Sequence, residues 1–378
     1  MGLASFWATA AEARQFLGSP SRHEVAVLLC YLLILALLDR GLPGRIVPGA
    51  LLEDKTRIHY KCNGFLSLLL LSVAFTMGAA MRLYSLEVIA EKGVELFFTT
   101  LIFCFLVSLI IYTAGSGSKI KSSSLRPRKT GNFLHDWWFG VQLNPGFLGI
   151  DLKFFTIKAG MMGWFFLNLS IGAKQIQIEG SLTLPMILYQ AFSMIYVLDF
   201  FWFEEYMTST WDIIAENFGL MLIFGDLVWI PFTFSIQGWW LLAHKPVLTK
   251  FAAILNVIIF ILGYAVFRGA NMQKHLFKKD PTSLIWGQPP KTVGEKLLVS
   301  GYWGIARHCN YLGDIILAFS FSLPCGASSL VPYFYPLYLF ILLLWRERRD
   351  EARCKEKYKD LWVEYCKTVP WRIFPYLY

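Results

Sequence analysis

Apolar runs follow one another along almost the whole of this 378-residue chain: Val25–Leu38, Phe65–Ala80, Val94–Tyr112, Ala159–Ile171, Leu184–Phe203, Phe218–Ile236, Phe251–Phe267, Ile315–Leu323 and Leu330–Trp345. With 56% hydrophobic residues, only 16% charged and a mean hydropathy of +0.49, lipid is the solvent for which such a chain is built. Inside a bilayer every backbone polar group must find a partner within the protein, and a helix meets that demand within one segment. Several runs fall short of the roughly 20 residues that cross a bilayer, so flanking amphipathic residues complete them or they re-enter. The expected fold is an all-α integral membrane protein of eight to ten helices.

The net charge of +9 does not point to nucleic acid, because Lys and Arg sit in short loops and at the C-terminal end rather than in a solvated domain. The positive-inside rule accounts for them, and places Lys119, Lys121, Arg126, Arg128 and Lys129 on the cytosolic side with the basic stretch that starts at Arg346. Residues 1–22 are too few for a domain and carry no pattern of a cleaved signal, so the first run is expected to act as an uncleaved anchor. Residues 23–378 then form a single membrane domain. Gly41–Asn63, Gly115–Thr130 and Gln273–Glu295 read as loops, the last punctuated by Pro281, Pro289 and Pro290. Seven cysteines, Cys30, Cys62, Cys104, Cys309, Cys325, Cys354 and Cys366, are odd in number and form no CxxC pair, and read as free thiols. There is no HExxH, no Walker loop and no GxGxxG after a strand, so neither a metal nor a soluble nucleotide-binding fold is expected.

Against this apolar background five polar groups stand out. His135, Asp136, Gln142 and Asn144 crowd with Trp137 and Trp138 beside a membrane entry, either as an interfacial helix with caps or as a site. Asp226 lies within an apolar run and should face protein rather than lipid, either as an interhelical hydrogen-bond partner or as a working carboxylate. Glu204 and Glu205, and Tyr196 deeper in the preceding run, are candidate proton donors, because burial raises a carboxyl toward the range useful to a general acid. Lys274 and Lys278 share one helical face if that helix continues, serving as topology markers or as a phosphate clamp. At the C-terminal end, a helix over Arg346–Tyr365 would align Arg346, Asp350, Cys354 or Arg353, and Lys357 or Tyr358 on one face. A lipid-binding helix needs the cations but not Asp350, Tyr358 or Tyr365, which favours a ligand site there.

Asp136-Trp-Trp-Phe-Gly140 with Leu143-Asn-Pro145, Gly301-Tyr-Trp-Gly304 with Arg307-His-Cys-Asn-Tyr-Leu-Gly-Asp314, and Arg348-Arg-Asp350 with Cys354, Lys357-Tyr358, Trp362 and Tyr365 resemble the signatures of the sterol reductase family. Leu42-Pro-Gly44 and Phe224–Phe232 are similar to its carbon-14 branch, the plant members in particular, and the resemblance runs from about Leu42 to Tyr378. It implies a ten-helix protein of the endoplasmic reticulum membrane that uses NADPH to reduce the carbon 14–15 double bond of an 8,14-diene sterol. It also implies a cofactor region over 267–378, with motif positions at Lys274, Lys278, Leu298, Trp303, Asn310, Tyr311, Arg346, Asp350, Cys354, Lys355, Glu356, Lys357, Tyr358 and Tyr365. Lys and Arg would hold phosphates, and Asn and Tyr would orient the ribose and nicotinamide. Two departures are visible: Cys309 stands where Pro is common, and Lys278 where many relatives carry Arg.

The implied reaction needs an acid to protonate carbon 15 and a hydride for the cation at carbon 14, within an apolar slot that excludes water. Tyr196, Glu204 and Glu205 stay open as the acid. Reduction at carbon 7 or 24(28), or a binding protein without catalysis, are the other readings, and intact Asn310, Arg346, Asp350 and Tyr358 argue against the last.

Overall fold

A computed structural model of the chain describes residues 22–52, 55–117 and 127–378. Lys119, Lys121 and Arg126 of the basic cluster, and residues 1–21 of the short N-terminal segment, lie outside the described residues. Helices dominate, as the apolar runs demand. Five are long and apolar enough to cross a membrane, Gly93–Gly117, Leu152–Glu179, Leu184–Trp202, Leu220–His244 and Lys250–Lys279, and Gly64–Ala80 and Cys309–Cys325 are shorter apolar helices. The described residues form two compact units: one made of those up to Leu182 with Ser193–Gly238, the other of Thr183–Phe192 with Trp239–Tyr378.

The first unit contains α1 (Arg22–Gly41), α2 (Gly64–Ala80), α3 (Gly93–Gly117), the short α4 (Phe133–Phe139), α5 (Leu152–Glu179), the second half of α6 (Leu184–Trp202) and most of α7 (Leu220–His244). Gly41–Asn63 was expected as plain loop. It instead pairs Arg45–Leu51 with Arg57–Cys62 in an antiparallel hairpin, because alternation in Arg57-Ile-His-Tyr-Lys-Cys62 gives one face that buries Tyr60 against Phe154. Helix α5 is the hub. Its N-cap Asp151 accepts the Phe154 N–H at 2.8 Å, and Gly180 at φ 76 ends it in a left-handed turn. Helices α5 and α7 touch backbone to backbone: a Cβ on Gly160 would stand 2.0 Å from the Asp226 carbonyl oxygen. Where α7 carries Pro231, which lacks an N–H and crowds the turn before it, the helix widens to a π-helix over Gly225–Thr233.

In the second unit α8 (Lys250–Lys279) packs on α9 (Cys309–Ser322) through Gly263, opposite Ile316, and Gly313, opposite the Phe267 backbone. Small residues let two helices in lipid approach this closely. Thr249 caps α8 by accepting the Ala252 N–H at 3.2 Å. The single helix expected over Arg346–Tyr365 is two. Helix α10 (Phe334–Tyr358) ends at Lys359, whose φ of 50° turns the chain into α11 (Asp360–Thr368) and folds Trp362 back to 6.4 Å from Tyr358, ring centre to ring centre. Burying Trp362 is the gain that offsets the left-handed turn at a non-glycine residue.

The contact at Gly160 sets a testable contrast. Gly160→Ala should cost about 3 kcal/mol through forced separation of α5 from α7, whereas Gly180→Ala, with open space around its Cβ, should cost only the left-handed strain of about 1 kcal/mol. Thermal unfolding in detergent measures both, and equal shifts would refute the close-contact account.

Candidate functional site

All the residues expected at the cofactor, from Lys274 to Tyr365, lie in the second unit. The loop expected from Gln273 begins only after Lys279: α8 continues unbroken to that residue, so Lys274 and Lys278 are one turn apart on the same face. The Lys274 ammonium lies 4.9 Å from the centre of the Trp303 ring. Trp303 donates its indole N–H to the Ala270 carbonyl at 2.8 Å and packs with Phe277, Ile285 and Leu298, so Leu298 supports the platform from within the core. Gly301, at φ 63, lets the Tyr302 N–H reach Gln273 at 2.9 Å. Lys278 lies in the electrostatic field of Lys274 first, then of Lys357, Asp350 and Cys354, which brings the ends of α8 and α10 together. On α10 the Cys354 thiol is 4.0 Å from the Asp350 carboxylate. Cys354 and Tyr358 pack against Trp362, Tyr365 and Val369, and burial pushes the Tyr365 phenol up. Arg346 is half-buried on the same helix, while Lys355 and Glu356 are exposed.

The start of α9 completes the cluster. Cys309 is its first helical residue, a position where Pro is tolerated because that N–H has no helical partner, and the Cys packs against Ala270 and Ala306 instead. Asn310 donates to Asn271 at 3.3 Å, while its own carbonyl oxygen is buried without a hydrogen-bond partner. Tyr311 stacks on His308 at 4.9 Å and 15°. His308 is buried, its Nε2, like Asn310 Oδ1, has no partner among the described residues, and burial together with Lys274, Arg307 and Arg372 pushes the imidazole down to about 3.

Arg307 ties this turn to the C-terminal elements. Its guanidinium donates to Glu351 at 3.3 Å, to the Pro370 carbonyl at 3.4 Å and to the Cys366 thiol, and Glu351 also accepts the Trp362 indole N–H at 3.0 Å. The backbone N–H groups of Arg307 and His308 donate to the carbonyls of Trp371 and Arg372 at 2.9 and 2.8 Å. Asn271 and Glu351 were not singled out from sequence, and His308 was read only as part of the polar motif. Asn271 lies one turn before Lys274 and was legible from that spacing; the Glu351–Arg307 pairing joins residues 44 apart and has no local signal.

The candidate acids lie in the first unit. Glu204 is buried and accepts the Gly64 N–H at 2.8 Å; its other oxygen is 3.6 Å from the Lys158 ammonium, which also pairs with Asp39. Burial pushes the Glu204 carboxyl up, with Lys158 and the Gly64 N–H pulling the other way. A small cleft lined by Asp39, Gly64, Ser67 and Lys158 opens beside this triad. Glu205 pairs with Arg45 at 3.0 Å in a half-exposed bridge, and Tyr196 meets the Trp164 ring edge-on at 5.9 Å.

The other polar constellations hold the fold. Asp226 accepts the Thr156 hydroxyl at 2.7 Å, the interhelical role weighed from sequence. Asp136 accepts the Thr130 hydroxyl at 2.7 Å and its N–H at 3.0 Å; burial alone would raise its carboxyl, but these bonds hold it below the usual range. Asn144 donates to Tyr60 and Asp151, and Trp137 to Ser108. Gly140, at φ 87, leaves no room for a Cβ against the Phe218 backbone.

The model of the Ergosterol biosynthesis ERG4/ERG24 family matches residues 2–378 of the chain. The chain belongs to this sterol reductase family. Among its relatives, Delta(14)-sterol reductase of Arabidopsis thaliana is 60% identical over 95% of this chain and 97% of its own length. Delta(14)-sterol reductase TM7SF2 of Mus musculus is 42% identical over 89% and 81%, and Delta(14)-sterol reductase of Methylotuvimicrobium alcaliphilum 40% over 99% and 88%. Within this sterol reductase the motif groups thus divide: those in the first unit brace helices, and those after Lys250 in the second gather cations, aromatic rings and partnerless polar atoms in one place.

The buried imidazole has a measurable signature. Between about pH 3 and 6.5 the folded chain holds one proton fewer at His308 than the unfolded chain, so stability rises with pH over that window and is lost as pH falls through 6.5. Thermal unfolding between pH 6 and 4 should show an acid-side slope that His308→Gln reduces by one proton, about 1.4 kcal/mol per pH unit; an unchanged slope would refute the assignment.

Proposed function

We propose that this sterol reductase reduces the carbon 14–15 double bond of sterol precursors with NADPH, in the membrane of the endoplasmic reticulum. The observation that carries the reading is its 60% identity to the Arabidopsis thaliana Delta(14)-sterol reductase across nearly the full length of both chains. Residues 23–378 act as one sterol reductase domain with the cofactor region at 267–378. The second unit fits the cofactor by its chemistry: Lys274, Lys278 and Lys357 offer cations to phosphates, Asp350 accepts from hydroxyls, and Trp303, Tyr358 and Tyr365 offer flat faces. Asn310 Oδ1 and His308 Nε2 are polar atoms that a ligand would satisfy. Bound NADPH supplies the hydride that adds to carbon 14.

The chain itself supplies the proton to carbon 15 and the dry surroundings in which a tertiary cation survives. The surroundings of Tyr196, Glu204 and Glu205 give each a distinct phenotype as that donor. Glu204→Gln removes a charge from the Lys158–Asp39 triad, so it lowers thermal stability as well as turnover. Tyr196→Phe leaves the ion pairs intact, and Glu205→Gln breaks only a half-exposed bridge worth about 1 kcal/mol or less.

Membranes carrying the chain, incubated with NADPH and an 8,14-diene sterol and followed by mass spectrometry, should yield the 14-reduced product. Survival of the 14-ene while a 7-ene is reduced would overturn the substrate, and no NADPH oxidation with any sterol would overturn the enzyme. The donor is the residue whose neutral variant loses turnover by at least about 100-fold while NADPH affinity and unfolding temperature hold or, for Glu204, fall only with the triad.

A further inference from the structure

The C-terminal cluster has a buried polar edge beside its exposed cations, and one cation, Arg307, is buried there with its Nε also without a hydrogen-bond partner among the described residues. Lys278 and Lys357 are exposed, whereas His308 is 6% exposed and Asn310 Oδ1 and His308 Nε2 are both buried with no hydrogen-bond partner among the described residues. Leaving two such atoms unsatisfied costs about 1–3 kcal/mol each, so their presence on one turn calls for a ligand that pairs with both. The ligand edge cannot be a phosphate, because Asn310 Oδ1 only accepts and would repel a phosphate oxygen. It must offer a hydrogen-bond donor to Asn310 and a donor or acceptor to an imidazole, which a primary carboxamide or a hydroxyl does.

His308 is held ready for this. Its backbone N–H is fixed by the Arg372 carbonyl at 2.8 Å, and its ring lies flat on Tyr311. The charged groups that act on it, Lys274 on α8 with Arg307 and Arg372 beside it, are all cations, and together with burial they keep the imidazole neutral, so it forms an uncharged hydrogen bond. Exposed cations beside buried neutral groups match a dinucleotide whose phosphates face water and whose reactive ring is shielded from it.

We propose that His308, together with Asn310, binds the uncharged nicotinamide end of the dinucleotide through its carboxamide or its ribose hydroxyls, making His308 a further cofactor-binding residue. This rests on the NADPH reading above. The test is direct binding to the purified full chain in detergent, read by energy transfer from tryptophan to the reduced nicotinamide and by calorimetry, with NADPH and with adenosine 2′,5′-bisphosphate, which lacks the nicotinamide end. His308→Ala should weaken NADPH about tenfold and leave the bisphosphate within about twofold, and His308→Gln, which keeps a side-chain hydrogen bond, should recover most of the loss. The reduced thionicotinamide analogue separates the two sources: a loss in the unaltered protein that His308→Ala does not deepen assigns the carboxamide, and a full further loss assigns the ribose hydroxyls. Parallel weakening of NADPH and the bisphosphate, or no weakening of either, overturns the assignment while the NADPH reading stands. Absence of NADPH binding to the unaltered chain overturns both.

Discussion

The guanidinium of Arg307 is the contact on which the arrangement of the second unit depends. It sits one residue before His308 and reaches Glu351 on α10, the Cys366 thiol on α11 and the Pro370 carbonyl beyond it. Three stretches that bring Asn310 and Tyr311, Asp350 and Cys354, and Tyr365 to one place are therefore tied to one side chain. Arg suits this better than Lys, since a planar fork can address several acceptors at fixed angles. Glu351 is shared with Trp362, so the same carboxylate also fixes the fold-back of α11 onto α10. Neighbouring Arg372 pairs with the fully buried Glu347 at 3.5 Å and repeats the device one turn earlier on α10.

The first unit manages buried charge by the same rule with different residues. Lys153 is fully buried and donates to three carbonyls, of Asp212, Ile213 and Glu216, at 2.7–2.8 Å, clamping the turn after the candidate acids. Lys158, one turn along α5, bridges Asp39 and Glu204. Removing one member of such a group strands the others, so these residues are costly to change whatever they do in the reaction. That separates a loss of activity from a loss of fold at Glu204 more sharply than at Tyr196, whose ring meets Trp164 without entering the triad.

Much of this was legible in the chain because its periods are long and its solvent is lipid. The apolar runs mark α3, α5, α6, α7 and α8, whereas the end of α8 was misplaced: the loop expected from Gln273 begins only after Lys279, because polar Lys274 and Lys278 sit on a helix that continues past its apolar run. What was not legible depends on single residues acting at a distance. Nothing in the composition of Arg346–Tyr365 announces a break at Lys359; the break exists because Trp362 finds a buried place against Tyr358 and Glu351 only when the chain reverses. The hairpin over Arg45–Cys62 was hidden by Pro48 and Gly49, which read as loop but sit on an edge-only sheet with an irregular register. In the site, Lys, Asp and Tyr drew attention by charge and His308 by its place in the polar motif, but only burial shows that its Nε2 lacks a partner, and Asn271 looks ordinary until its contact with Asn310 is seen.

The division of labour between the motif groups explains why a cluster rich in cations can also present neutral groups. Repulsion among Lys274, Lys278 and Lys357 would spread these side chains unless anionic partners or a ligand offset it, and Asp350 is a carboxylate that acts against it at Lys278. The carboxylates that would complete the neutralisation, Glu347 and Glu351, are already engaged by Arg372 and Arg307 beneath the surface. The same two arginines contribute to holding His308 neutral, so the structural ion pairs that build the floor of the cluster also set the polarity of its deepest edge.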